Sequence, residues 1–195
     1  MFNKILSGLI TAIVFTGCAA TPPTQFYELE SVSKPMPAIS STKKPLVCGI
    51  GPLSLPSILD RKQIVTRTAN NEVKLAEFDQ WAAPLTETVD LVISQNLTSL
   101  LPQAIFRRFP WSAYGTVDYY IIIDISEFDT RPGQSVNFEA NFAVMDDKKH
   151  TIISNGHFKV EHPLIDSSYA GSVKALSQVL AEFSQRLVLT INQIY

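Results

Sequence analysis

Apolar residues at Leu85, Val89, Val92, Ile93, Leu97, Leu100 and Leu101 recur every three or four positions. That is the period of an α-helix with one buried stripe. Pro84 stands just ahead of the run, where a missing N–H is harmless in a first turn, and Pro102 closes it. The same period returns at Val173, Leu176, Leu180, Phe183, Leu187 and Ile191, predicting a long C-terminal helix capped by Asp166, Ser167 or Ser168. Between the helices the period falls to two. Val136, Phe138, Ala140, Phe142 and Val144 alternate with Asn137, Glu139 and Asn141, so one face of this strand is wet. Asp146-Asp147-Lys148-Lys149 turns the chain, and Thr151 to Val160 returns as the second arm of a hairpin. A strand from Asp118 to Phe128 carries the run Tyr119 to Ile123, apolar at every position, which predicts a central strand covered on both faces.

The first half of the chain is more broken. Leu46 to Leu55 alternates but holds Gly49, Gly51 and Pro52, the pattern of a strand with a bulge or kink, and Pro56-Ser57 is a turn. Gln63 to Arg67 and Glu72 to Ala76 flank Asn70-Asn71 and form a predicted hairpin. Ala19 to Pro45 is rich in Pro, Ser and Thr and reads as an extended tether. Within it Gln25 to Leu29 has strand character and is suited to pairing with a sheet edge. The whole predicts one domain of the α/β or α+β class, a mixed β-sheet packed by two main helices, without internal repeats.

The opening residues carry an address. Lys4 precedes an apolar run from Ile5 to Phe15, too short for a membrane-spanning helix of ~20 residues. Thr16 and Gly17 then lead into Cys18. This resembles the bacterial lipoprotein box, whose cysteine is lipidated, becomes the new N-terminus and is acylated again. The resemblance divides the chain into a signal peptide over 1–17, a lipidated N-terminus and tether over 18–45, and a globular domain over 46–195. Several acyl chains, at ~0.8 kcal/mol per buried CH₂, hold a protein stably on a membrane. Ala19 stands where an aspartate would signal retention in the inner membrane, so the resemblance implies the periplasmic face of the outer membrane.

A domain of ~150 residues buries ~70% of the surface its unfolded chain exposes, enough for one core. With 17% charged residues and a formal net charge of −2, the chain has no electrostatic case for nucleic-acid binding. Once Cys18 carries lipid, Cys48 has no disulfide partner, and its apolar surroundings suit a small buried hydrophobe. Neither a nucleophile elbow, a P-loop nor a dinucleotide fingerprint is present, so no cofactor and no catalytic residue is expected. His157 and His162 are five apart, which places them on opposite strand faces and argues against a shared metal. Asp146-Asp147 beside two lysines is a solvated turn, and Asn96-Leu97-Thr98 falls inside the predicted helix, unsuited to a glycosylation acceptor.

The segment from Leu53 to Leu85 holds residues that packing alone does not require. Leu59-Asp60-Arg61 is followed by Ile64-Val65-Thr66-Arg67, and then by Phe78-Asp79-Gln80-Trp81-Ala82-Ala83-Pro84-Leu85. Trp81 just before a helix can staple that helix to the sheet, or meet a partner directly. Arg61 and Arg67 fit surface charges or hydrogen-bond donors to loop carbonyls. Asp60, Arg61, Arg67, Trp81 and Pro84 are therefore the candidate partner-binding or structural motif.

These residues resemble the ABC-type transport auxiliary lipoproteins of the PqiC/YmbA-like type. The likeness runs through Tyr27-Glu28-Leu29, Leu55-Pro56-Ser57-Ile58-Leu59-Asp60-Arg61, Ile64-Val65-Thr66-Arg67, Trp81-Ala82-Ala83-Pro84-Leu85, Glu127-Phe128-Asp129 and the C-terminal helix. Gln80 and Ala83 depart from the family's usual arginine and glutamate. The resemblance implies a non-enzymatic lipoprotein that docks or scaffolds an MCE-type intermembrane lipid transporter supporting envelope integrity. The implied partners are an MCE-domain protein of a PqiB-like transporter and the outer membrane; docking to an oligomeric tube would suit a homo-oligomer. The alternative is a periplasmic lipid-binding carrier with a cavity between sheet and helices.

Overall fold

The computed structural model describes residues 21–34, 44–68, 70 and 72–194. The signal segment, Cys18 and part of the tether lie outside them. The elements run β1 (Gln25–Tyr27), β2 (Val47–Ser54), β3 (Gln63–Arg67), β4 (Val73–Trp81), α1 (Leu85–Leu100), β5 (Ile105–Arg108), β6 (Tyr119–Arg131), β7 (Ser135–Asp146), β8 (Thr151–Pro163) and α2 (Tyr169–Ile194). They form one α+β domain, an eight-stranded mixed sheet with two helices.

β6 is the trunk of this sheet. Along one side it pairs antiparallel with β7, and β7 with β8. Its other side is shared by two branches. β2 runs parallel to its first half, from Cys48 beside Tyr119 to Ser54 beside Asp124, and carries β5 outside it. β3 meets its far end, Thr66 beside Thr130, and carries β4 and then β1. The branching follows from the length of β6, which at 13 residues outreaches either partner.

Both helices pack on one face of the sheet, α1 over β2 and β5, and α2 over β6, β7 and β8. The predicted stripes are the buried ones: Val89, Ile93 and Leu97 of α1 and Val179, Leu180, Phe183 and Leu187 of α2 are fully enclosed. Phe183 lies 5.1 Å from Phe138, 5.7 Å from Phe158 and 6.0 Å from Phe142 between ring centroids. Each such pair adds ~0.5–1.5 kcal/mol beyond its buried area. α1 begins one residue after Pro84, whose carbonyl accepts the Thr88 N–H at 3.1 Å. α2 begins one residue after Ser168, whose Oγ accepts the Gly171 N–H at 3.0 Å.

Two-sided covering of β6 is not found. Ile121, Ile123 and Ile125 face the helices and are buried, whereas Asp124 and Ser126 on the other face are exposed. The aromatic and aliphatic residues of that second face, Tyr120 and Ile122, are half-covered. The Trp111 ring lies 5.4 Å from Tyr120 and close above β2, where Gly49 makes room: a Cβ there would come within 2.9 Å of the indole. β5 was not legible as a strand; it is four residues long and sits at an edge.

Part of the tether span 18–45 rests on the domain. β1 pairs parallel with β4, as the Gln25–Leu29 pattern suggested, and Leu29 is buried. The following residues cross both helices. The Glu30 N–H donates to Ser177 Oγ at 3.1 Å, and Asn96 Oδ1 accepts the Ser31 hydroxyl at 2.7 Å and the Ser33 N–H at 3.3 Å.

Candidate functional site

β4 ends in a knot of backbone bonds that fixes its neighbours. The Trp81 N–H donates to the Lys62 carbonyl at 2.7 Å, and the Ala82 N–H to the Tyr27 carbonyl at 2.8 Å. The loop on one flank is folded tightly by Leu59 N–H to Pro56 O and Arg61 N–H to Leu59 O, both 2.9 Å, and pinned by the buried Leu59 side chain. On the other flank lies β1. Between them opens a cleft of about 460 Å³ lined by Phe26, Asp60, Arg61, Lys62, Gln80 and the Trp81–Pro84 stretch.

Trp81 is only 7% exposed and belongs to the hydrophobic core, so its ring holds the end of β4 and the start of α1 against the sheet while forming the cleft's inner wall. Phe26, by contrast, is 65% exposed. Asp60 Oδ1 accepts the Thr86 hydroxyl at 3.4 Å, a loose tie to the first turn of α1. The side chains of Arg61 and Lys62 have no hydrogen bond or ion pair among the described residues. Tyr27, on the covered side of β1, donates to Asp79 Oδ1 at 2.7 Å, a bond that pushes the phenol up to about 12. The lining thus offers apolar surface, two cations and one carboxylate, an arrangement for binding; it sets no nucleophile beside a base.

Four of the five candidate residues, Asp60, Arg61, Trp81 and Pro84, meet in this cleft, together with Gln80 and Ala83. Arg67 does not. It lies at the other end of β3 and pairs with Asp129 Oδ2 across 62 residues of sequence. Asp129 is 1% exposed and accepts Asn137 Nδ2 at 3.3 Å, and the Ser135 hydroxyl donates to Asn137 Oδ1 at 3.4 Å. This polar chain was not legible from spacing. Asn96 was missed as well, although a polar residue within the apolar stripe of α1, beside Leu97, was a readable sign of a buried hydrogen-bonding role.

The histidines stand apart, His157 Nε2 3.0 Å from Glu139 Oε1 and His162 Nε2 2.9 Å from Glu182 Oε2 of α2. Cys48 is enclosed, and burial pushes its thiol up to about 12. Among the described residues no helix is long and apolar enough to cross a membrane.

A family model described as the ABC-type transport auxiliary lipoprotein component matches residues 27–188, from β1 nearly to the end of α2. The chain belongs to that family. It is a transport auxiliary lipoprotein component, of a family not known for enzymes, and membership agrees with a lipid-anchored envelope protein. In structure it is similar to a crystal structure of an uncharacterized protein, with 19% identity, a TM-score of 0.71, and 87% of this chain and 99% of the other covered. It is also similar to a Xanthomonas campestris protein, at 20% identity and a TM-score of 0.67, covering 84% of this chain and 92% of that one. At such identities the likeness concerns the fold. No curated protein matches the chain significantly in sequence.

Proposed function

We propose that this auxiliary lipoprotein is held on the periplasmic face of the outer membrane by acyl chains on Cys18 and docks an MCE-domain protein of a PqiB-like lipid transporter. The cleft between β1, the Asp60–Lys62 loop and the start of α1 is the docking surface. One observation carries this reading: Asp60 and Arg61 from one family-like block and Trp81–Pro84 from another, far apart in sequence, converge on one cleft that keeps an exposed phenylalanine and cations unpaired among the described residues. Such groups cost solubility or give nothing to folding, and exposed apolar surface rimmed by polar groups is the usual form of an interaction site. The carrier alternative needs room between sheet and helices, and the Phe128, Phe138, Phe158 and Phe183 rings fill that space.

Photocrosslinking in living cells from a reactive residue at Gln80 tests the docking. Capture of an MCE-domain protein is the expected result; capture of none contradicts it. Cys18→Ala is expected to move the chain from the membrane to the soluble fraction without changing its melting temperature, because Cys18 precedes β1 in sequence. A variant that stays on the membrane removes the anchor from the account.

A further inference from the structure

We infer that the cleft receives an acidic segment of the partner, with one large apolar side chain set against Phe26 and Pro84 and carboxylates reaching Arg61 and Lys62. This rests on the docking reading above and names the chemistry of what docks. Charge is the first support. The cleft lining has two cations and one carboxylate, and among the described residues only the carboxylate has a side-chain partner, Thr86. An incoming carboxylate meets donors that need not give up an existing bond, and a guanidinium can bind it bidentately.

The exposed ring is the second support. Phe26, on the strand that walls the cleft opposite the Asp60–Lys62 loop, is 65% exposed and lines the cleft with Pro84. A segment that carries a large apolar side chain beside its carboxylates matches this ring and the cations together.

Capture from Gln80, repeated with Arg61→Glu/Lys62→Glu and with the milder Arg61→Gln/Lys62→Gln, tests this in the full-length, membrane-bound chain. The reversed pair is expected to lower capture by at least about tenfold, since facing like charges costs several kcal/mol. The neutral pair should lower it less, with both melting temperatures unchanged. The captured peptide should hold Asp or Glu within a few residues of the crosslinked position. Undiminished capture by the reversed pair, a basic captured peptide, or a lipid adduct overturns the inference while leaving docking in place for the first two. Absence of protein capture by the unaltered chain removes the docking reading itself.

Discussion

Arg61 and Arg67 bracket the same strand, yet they have opposite fates. Arg67 is spent on the fold: its guanidinium closes on Asp129, which is enclosed and tied onward to Asn137 and Ser135. Arg61 stands on a tight loop at the other end of β3, beside Lys62, and its side chain has no partner among the described residues. The difference shows that residue type and proximity in sequence do not separate a structural arginine from one available for contact. What separates them is the neighbour supplied by the sheet. β6 delivers Asp129 to the far end of β3, whereas the near end faces the gap beside β4 and β1.

That contrast can be broken most strongly from underneath the cleft. Trp81→Ala removes a core indole that is also the cleft wall, and is expected to cost about 3–5 kcal/mol, as large aromatic deletions do. Thermal or denaturant unfolding would show it, and a loss below about 1 kcal/mol would mean that Trp81 is not part of the core. Arg67→Ala comes next. It leaves the Asp129 carboxylate buried and uncompensated, at about 2–3 kcal/mol for a pair whose arginine is partly solvated. Capture from Gln80 should persist in the folded fraction. Arg61→Ala should shift stability by no more than about 0.5 kcal/mol, the range of surface substitutions, while weakening capture. If the two arginine variants exchanged these effects, the division between a structural and a contacting arginine would be wrong.

Much of the architecture was legible because it is local. The helical stripes of α1 and α2 and the alternation of β7 record which face is buried, except at Asn137, which falls on the predicted wet face of β7 and is enclosed beside Asp129. The turn at Asp146–Lys149 likewise announces the β7–β8 hairpin, and its Asp146 carboxylate accepts the Lys148 and Lys149 N–H groups. Three features were hidden because they depend on distant partners. The apolar run of β6 suggested two covered faces, but both helices chose the same face and left the other to Trp111 and solvent. β5, four residues long, has too little pattern to show its period. The tether composition of residues 18–45 concealed the stretch that Asn96 and Ser177 hold down.

The candidate site was half-readable for the same reason. Trp81 and Pro84 are contiguous with the start of α1, and Asp60-Arg61 stand out as charges after a buried leucine. That these two blocks share a cleft, and that Phe26 completes it, needed the pairing of β4 with both β3 and β1. Arg67 looked equivalent to Arg61 because nothing within a few residues revealed Asp129.

The most direct test places a photoreactive residue in turn at Gln80, in the cleft, and at Lys159, on the open face of β8, in otherwise unaltered cells. The account predicts that the MCE-domain partner is captured from Gln80 and not from Lys159. Capture from Lys159 alone, or equally from both, would contradict the assignment of docking to the cleft.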